Sequence, residues 1–204
     1  MSAELAGVTA LVLAAGSSRR LGRPKQTLPF EGGTLLGATL DMVRRCGVGQ
    51  VVVTLGAAAD QVHKLVNLDG LTVVHNDAYG EGCSSSIAAA LPAVDESAEG
   101  VLLLLGDQPM VDPADVRSLV DVARGVSVAV TRYSDGIGHP FWLGRDLFDD
   151  VANLHGDKGV WKLVDRAGSS LVESPAPGTI PLDVDTWEDY HALLDRHGTT
   201  AVSS

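Results

Sequence analysis

Short apolar runs alternate with amphipathic segments along the first two thirds of the chain. The apolar runs predict buried strands at Val8–Ala14, Gln50–Leu55, Leu71–His75, Val101–Leu105 and Val126–Thr131. Apolar positions with helical spacing predict helices at Thr34–Arg45, Ala57–Val66, Ser84–Leu91 and Pro113–Ala123, the last with Asp112 as its N-cap. Because strands that alternate with helices pair in parallel through right-handed crossovers, the pattern predicts an α/β protein with a mostly parallel sheet.

The last third of the chain follows this alternation less regularly. It contains the segment GIGHP, a helical patch that begins at Asp146, and the segment PLDVDTWEDY. A final helix is predicted at Thr186–Arg196, because Thr186 and Asp189 have the spacing of a capping box.

The size and composition of the chain suit a single domain with an aliphatic core. Of its 204 residues, 45% are apolar but only 4% are aromatic, which is typical of proteins whose parallel strands are buried on both faces. No long polar linker or internal repeat divides the sequence. We therefore expect one domain over residues 1–204, with a core at about 7–197 and a disordered tail at 198–204.

Charge and cysteine content exclude several classes of function. The formal net charge is −11, so the surface repels polyanions and nucleic acid is not an expected partner. The apolar runs fall far short of the roughly 20 residues that span a bilayer, and the N-terminus lacks the pattern of a secretory signal. The two cysteines, Cys46 and Cys83, form no CxxC pair, so neither a disulfide framework nor a zinc motif is predicted. We expect a cytoplasmic protein without a membrane partner.

A Gly-rich segment, LAAGSSRRLGRPK at residues 13–25, directly follows the first predicted strand. Its small residues leave backbone N–H groups open to phosphate oxygens, and Arg19 and Lys25 can offset negative charge. The spacing fits neither the GxxxxGK(S/T) Walker loop nor the GxGxxG dinucleotide fingerprint. A lone pair of glycines would favour an ordinary strand-to-helix turn with solvated arginines, but the whole string favours a nucleotide site. The residues assigned to that site are Leu13, Ala14, Ala15, Gly16, Ser17, Ser18, Arg19, Gly22 and Lys25.

Two acidic segments are candidates for a metal site beside that loop, although GD alone favours a turn aspartate that caps its own loop. Asp107 follows an apolar strand through one glycine, and ligands of parallel sheets sit beyond the carboxyl ends of the strands. Mg²⁺ takes one or two carboxylates together with substrate phosphates. In PLDVDTWEDY, Asp183 and Asp185 should lie on one face of a short strand. We predict that Asp183 is the second metal ligand after Asp107, and that Asp185 helps to start the last helix.

The Gly-rich segment resembles the signature of the MobA-like NTP transferases, the nucleotidyltransferases that attach a nucleoside monophosphate to the molybdenum cofactor. The segments GEGCSSSI, GDQP, GHP, GDKG and PLDVDTWEDY resemble further motifs of this family in the same order, over about residues 8–195. The resemblance implies a Rossmann-like three-layer sandwich, as in the nucleotide-diphospho-sugar transferases. It also implies catalysis with Mg²⁺, or with Mn²⁺ in its place.

One position of the signature bears on the choice of base. The cytidylyltransferase branch has LAAGxSxRMG and the guanylyltransferase branch has LAGGxSxRMG, and this chain carries Ala15 where the two differ. The resemblance therefore favours CTP as the nucleoside triphosphate. Leu21 stands where the family has methionine, a swap that conserves volume and should not affect the chemistry.

The resemblance also implies roles for individual residues. Lys25, Arg19 and Asp107 would be catalytic, because phosphoryl-type transfer depends on positioning the triphosphate and stabilising its charge. Ser84 and Ser85 would contact the nucleotide at a helix start, although either could simply cap the helix. The GHP and GDKG motifs would bind the acceptor through His139, Pro140, Gly156, Asp157 and Lys158.

These features predict transfer of CMP from CTP to the molybdopterin form of the molybdenum cofactor, with release of pyrophosphate. A phosphate monoester is largely ionised near neutral pH, so the attacking oxygen needs no general base. A receiving molybdoenzyme is an expected partner. Two alternatives stay open: transfer to another phosphorylated acceptor, such as a sugar phosphate or small phospho-acid, or a non-catalytic role as nucleotide-binding partner of a molybdoenzyme. The intact set of Lys25, Asp107 and Asp183 argues against the second alternative.

Overall fold

A seven-stranded sheet lies at the centre of the computed structural model, which describes residues 5–154, 156 and 159–198. The strands are β1 (Val8–Ala14), β2 (Pro29–Phe30), β3 (Gly33–Thr34), β4 (Gln50–Leu55), β5 (Thr72–His75), β6 (Gly100–Leu105), β7 (Val128–Tyr133), β8 (Gly136–Gly144) and β9 (Val172–Pro175). Their order in the sheet is β5-β4-β1-β6-β8-β7-β9, and β2 and β3 form a separate hairpin. Within the described residues, β8 is the one strand of the large sheet that pairs antiparallel with its neighbours.

The helices cover both faces of this sheet. They are α1 (Leu35–Cys46), α2 (Ala59–Leu65), α3 (Cys83–Ala90), α4 (Pro113–Ala123), α5 (Phe148–Ala152), α6 (Gly159–Ala167) and α7 (Trp187–His197). On one face, side chains of α1, α2 and α4 pack against the sheet, and on the other face side chains of α3, α5 and α6 do so. Adjacent residues of β8 show the alternation, since Trp142 belongs to the first layer and Phe141 to the second. The predicted three-layer α/β sandwich with a mostly parallel sheet is confirmed.

A third apolar cluster attaches the last helix to the segment that follows the Gly-rich loop. Tyr190, Leu193 and Leu194 of α7 pack with Leu21, Leu28, Phe30, Leu35 and Val184. The hydroxyl group of Tyr190 donates a hydrogen bond to the carbonyl oxygen of Pro29. This packing brings the aspartates just before α7 to the same end of the sheet as the Gly-rich loop.

The first two thirds of the chain follow the predicted elements closely. The limits of β1, β4 and α4 are those predicted, and Asp112 accepts a hydrogen bond from the backbone N–H of Ala114 as the N-cap of α4. The capping box of the final helix is also present, with Thr186 and Asp189 bonded reciprocally. Gly198 ends α7 in the left-handed conformation, and residues 199–204 lie outside the described part of the chain.

The last third contains elements that the sequence pattern did not predict, namely β8, α6 and β9. In β8, glycine and Pro140 mask the strand pattern, and the register against β7 shifts between Val130 and Thr131. A shift of this kind is where a sheet tolerates proline. The short strand predicted for Asp183–Asp185 is wrong, because the structure assigns no strand there, although Val184 is buried as expected. None of the described helices is long and apolar enough to cross a membrane.

Candidate functional site

A cleft of about 460 Å³ opens at the carboxyl ends of β1 and β6. The first part of the Gly-rich loop forms one wall, through Leu13, Ala14, Ala15 and Gly16. Asp107 enters the cleft after Gly106, where an added Cβ would lie 2.9 Å from the Cβ atom of Ala14. Glycine at position 106 therefore lets the end of β6 lie against β1, and this close approach sets the backbone position of Asp107.

Lys25 is the centre of an ion-pair network in this cleft. Its Nζ atom lies 2.6 Å from Oδ2 of Asp107 and 2.8 Å from Oδ1 of Asp185. The side chains of Lys25 and Asp107 are only 17% and 9% exposed. Burial alone would lower the pKa of Lys25, but the two carboxylates raise it above its ordinary value, so the ammonium stays charged at neutral pH. The backbone N–H of Lys25 donates to Oγ of Ser18, which ties the lysine to the loop.

Asp107 and Asp183, the two predicted metal ligands, both line the cleft. Burial raises the pKa of Asp107, Lys25 opposes this effect, and the negative charge of Asp183 adds to it. Asp183 is exposed and lines the cleft. No cluster of three or more His, Cys, Asp or Glu side chains suited to a metal occurs in the described ranges. Two carboxylates in one cleft fit the oxygen ligands that Mg²⁺ prefers, since Mg²⁺ draws its other ligands from water and substrate.

Asp185 serves the cleft rather than the start of α7, where we predicted it to act. Its side chain accepts hydrogen bonds from Lys25 and from the exposed Arg20. Burial acts to raise the pKa of Asp185, but these two cations outweigh it and lower the pKa below its ordinary value. Thr186 and Asp189 satisfy the helix start instead. Asp185 therefore positions the ammonium group of Lys25.

Gln26 was not predicted, and it fixes the shape of the Gly-rich loop. It is 2% exposed, and its Nε2 donates to the carbonyl oxygens of Ala14 at 2.7 Å and Gly16 at 2.9 Å. Both carbonyls belong to residues that line the cleft. Within the described residues, its Oε1 atom is buried and has no hydrogen-bond partner. The sequence signal that could have identified Gln26 was its position directly after Lys25, at the end of the Gly-rich segment.

Replacement of Gln26 by leucine should loosen the loop. Two carbonyl groups would lose their donor, so we expect the free energy of unfolding to fall by about 1–3 kcal/mol. The KM for the nucleoside triphosphate that the sequence analysis predicts as substrate should rise severalfold, because the loop amides would no longer be held in place. Urea unfolding and steady-state kinetics measure the two effects. Gln61→Leu, on the exposed face of α2, is the matched control, and equal behaviour of the two variants would refute the role of Gln26.

The other predicted loop residues lie outside the lining of the cleft. Ser17, Arg19 and Gly22 are exposed. Ser18 has a left-handed backbone with φ of 50°, and its carbonyl oxygen accepts from the N–H of Leu21 in a tight turn. Arg19 is therefore exposed and lies outside the cleft lining.

The start of α3 contributes different residues from those predicted. The hydroxyl of Ser84 is buried and donates to the carbonyl oxygen of Gly156. The hydroxyl of Ser85 lies within hydrogen-bonding distance of the carbonyl oxygens of Ala78 and Gly82, which share its single proton, and it accepts from the side-chain amide of Asn76. These bonds use both hydroxyls within the protein. The residues of this segment that line the cleft are Gly82, Cys83 and Ser86.

His139, Phe141 and Trp161 form an aromatic wall that lines part of the cleft. The ring of His139 stacks on Phe141 with centroids 4.4 Å apart, and Phe141 meets Trp161 edge to face at 5.4 Å. Burial lowers the pKa of His139 to about 4, so the imidazole is neutral at physiological pH. All three residues line the cleft, and Trp161 keeps 39% of its surface exposed. Neither sequence nor resemblance had pointed to Phe141 or Trp161.

The remaining predicted acceptor residues are placed in part. Pro140 follows His139 through a cis peptide bond and is buried in the sheet, where its carbonyl oxygen accepts from the hydroxyl of Thr131. Gly156 meets the start of α3 through Ser84. Asp157 and Lys158 lie outside the described residues.

The model of the MobA-like NTP transferase domain matches residues 10–171, which include the Gly-rich loop, Asp107 and His139. The chain belongs to the MobA-like NTP transferase family. Two curated proteins align with nearly the whole chain. One is the nicotine blue oxidoreductase of Paenarthrobacter nicotinovorans, 31% identical over 94% of this chain and 98% of its own length. The other is the molybdenum cofactor cytidylyltransferase of Escherichia coli, 28% identical over 95% of this chain and 98% of its own length.

Two solved structures share the fold and a larger part of the sequence than these curated proteins do. The Rv0371c homolog from a Mycobacterium species has a TM-score of 0.87 and 51% identity, covering 94% of this chain and 96% of that one. Rv0371c of Mycobacterium tuberculosis in complex with manganese has a TM-score of 0.83 and 47% identity, covering 92% of this chain and 98% of that one. Membership of the MobA-like family makes the chain a nucleotidyltransferase homologue, whose substrates have to be inferred from its own site.

Proposed function

We propose that this protein transfers CMP from CTP to the molybdopterin form of the molybdenum cofactor and releases pyrophosphate. The observation that carries the proposal is the position of Lys25, held between Asp107 and Asp185 in a cleft beside the Gly-rich loop. A charged ammonium at this point can meet the phosphates of a bound nucleotide. Asp107, one of its two carboxylate partners, is also one of the two proposed ligands of a divalent cation.

In this proposal, Asp107 and Asp183 hold the Mg²⁺ ion, and the backbone amides of the loop hold the phosphates with Lys25 and Arg19. A bound cation would supply a Lewis acid that neutralises charge on the triphosphate. Manganese in the Rv0371c structure supports a divalent cation and makes Mn²⁺ the natural alternative. The protein's own part is to align the acceptor oxygen with the α-phosphorus, through positioning and charge stabilisation.

The choice of base and acceptor rests on two further features. Ala15 lines the cleft, and the Escherichia coli relative with a cytidylyltransferase name supports CTP. The neutral His139, Phe141 and Trp161 offer flat apolar surface to a planar ring such as a pterin. Pro140 follows His139 in the GHP motif, and with Gly156, Asp157 and Lys158 of the GDKG motif it belongs to the residues that we propose to bind the acceptor. We place the reaction in the cytoplasm, with a molybdoenzyme as recipient of the product.

The deciding experiment measures pyrophosphate release from the purified protein with Mg²⁺ and each of CTP, GTP, ATP and UTP. Each triphosphate is tested without an acceptor, with molybdenum cofactor or molybdopterin, and with a sugar phosphate or a small phospho-acid. Release with CTP that depends on the acceptor is the expected result. Release only with a sugar phosphate or a small phospho-acid would keep the transferase and overturn the acceptor. No release with any pair would overturn the proposed function. The relative from Paenarthrobacter nicotinovorans is named an oxidoreductase. The activity of this chain is therefore tested by this assay and not by sequence similarity.

Trp161 and Trp187 form a matched pair of variants for the acceptor side. The two tryptophans are similarly exposed, Trp161 by 39% and Trp187 by 37%. Trp161 lines the cleft, whereas Trp187 contacts Tyr190 and His191 on α7. Trp161→Ala should raise the KM for a pterin acceptor about five- to hundredfold, because stacking of a planar heterocycle on an aromatic residue contributes about 1–3 kcal/mol. Trp187→Ala should leave it unchanged. Equal KM values in both variants would exclude the aromatic wall as the acceptor site.

A further inference from the structure

Two histidines that are twelve positions apart in the sequence meet on the surface beside the edge of the sheet. His63 lies in the last turn of α2, and His75 ends β5, the edge strand. Their Nε2 atoms are 3.4 Å apart, and the ring planes make an angle of 24° with centroids 5.4 Å apart. Both side chains are exposed, and neither lines the cleft described above.

The separation of the two nitrogens matches the spacing of two ligands on one tetrahedral ion. With Zn–N bonds of about 2.0–2.1 Å, two imidazole nitrogens on tetrahedral zinc lie roughly 3.3–3.4 Å apart, and rings aimed at the ion have centroids about 5.2 Å apart. Both observed distances are close to these values. A direct N–H···N hydrogen bond would normally be shorter, because the usual donor–acceptor distance is about 2.7–3.2 Å.

The elements that carry the two rings are fixed before any ion arrives. Val62, the neighbour of His63, is fully buried in the main apolar cluster. His75 is paired in register with Leu55 of β4, and Asn76, which follows it, is buried and bonded to Ser85 and Ser86 of α3. Only the side chains of the histidines need to adjust on binding, so little ordering entropy opposes it.

We propose that His63 and His75 form a binding site for a zinc-type divalent cation, distinct from the carboxylate pair in the cleft. Neutral imidazole nitrogen is a ligand suited to Zn²⁺ and Cu²⁺, whereas Mg²⁺ selects the oxygen ligands of Asp107 and Asp183. In the described part of the chain no third His, Cys, Asp or Glu joins the pair as a ligand cluster. Water or a group from another molecule completes the coordination, and the ion exchanges with solvent.

Calorimetric titration of the untagged protein with Zn²⁺, in excess Mg²⁺ to fill the carboxylate site, tests the proposal. Wild type should bind Zn²⁺, and His63→Asn or His75→Asn should each weaken that binding about tenfold or more, because a direct ligand matters at least as much as outer-shell partners. His191→Asn, which removes an exposed histidine from α7, should bind as wild type does. Unchanged Zn²⁺ affinity in both pair variants would overturn the site.

A second measurement guards against variants that fail for other reasons. A cation that binds only the folded state raises the melting temperature of wild type. Without metal, the two Asn variants should melt as wild type does, because both side chains are exposed. With Zn²⁺, they should lose the increase. An equal increase in wild type and both variants would place the zinc elsewhere and refute the proposal.

Discussion

Asp107→Asn should reduce the rate of nucleotidyl transfer by about 10³-fold or more while the protein stays folded. The substitution keeps the size of the side chain but removes the negative charge that holds Lys25 and, in our proposal, the divalent cation. Lys25 would keep Asp185 as its partner, so the cleft should not collapse. The kinetic constants kcat and KM for CTP, measured with saturating Mg²⁺, test this prediction.

The stability of this variant separates a role in catalysis from a role in folding. Burial raises the pKa of Asp107, which means that the protein interior disfavours its charged form. A neutral asparagine avoids that penalty, so the melting temperature should stay within a few degrees of wild type. Asp115→Asn is the matched control, since burial also raises the pKa of this carboxyl, which lies in α4 and outside the cleft. Full activity in the Asp107 variant would show that Asp107 is not a ligand of the divalent cation.

The local signals in the sequence were sufficient for the parallel half of the fold. In Val8–Ala14 and Gln50–Leu55 every strand residue but Leu13 and Gln50 is buried, so a continuous apolar run identified each strand with its limits. α4 carried its start signal in Asp112 and Pro113. These elements depend on short stretches of chain, which is why pattern reasoning was enough for them.

The antiparallel part of the sheet depends on contacts that no local pattern encodes. β8 contains two glycines before Pro140, which usually indicate a turn, and the strand exists because the irregular register against β7 accommodates the proline. Thr131, the residue at that irregularity, donates its hydroxyl proton to the carbonyl of Pro140. The pairing partner, and not the composition of the segment, decides the structure here.

Site residues that stand in local motifs were predicted from the sequence, whereas those that depend on tertiary contacts were not. Lys25 and Asp107 stood in recognisable motifs, and the structure joins them at 2.6 Å. Gln26 and Trp161 had no motif, because a donor to two loop carbonyls and an aromatic wall become visible only when distant segments meet. Asp185 was expected at a helix start, but the approach of Arg20 and Lys25 from the Gly-rich loop turns it to the cleft.

Lys25→Ala should impair both activity and stability. Loss of the ammonium should reduce kcat/KM for CTP by about 10²–10³-fold, as expected when a group that stabilises transition-state charge is removed. The substitution also leaves the carboxylate of Asp107 buried without a cation, and breaking a buried ion pair in this way costs about 3–5 kcal/mol. Urea unfolding at neutral pH measures the stability, and steady-state kinetics measure the transfer.

The double variant Lys25→Ala/Asp107→Asn distinguishes the two effects. It removes the unpaired charge, so stability should return to within about 1 kcal/mol of the Asp107→Asn variant, while transfer should stay as low as in the poorer single variant. Arg20→Ala is the control for a cation on the exposed side of the network, since Arg20 is 67% exposed and such pairs contribute about 1 kcal/mol or less. If the double variant is no more stable than Lys25→Ala, the lysine does not act as the counter-ion of Asp107, and its charge must serve the cleft in another way. If stability returns and activity does not, the ion pair holds the fold together in the absence of substrate, and the same two charges carry the reaction when CTP is bound.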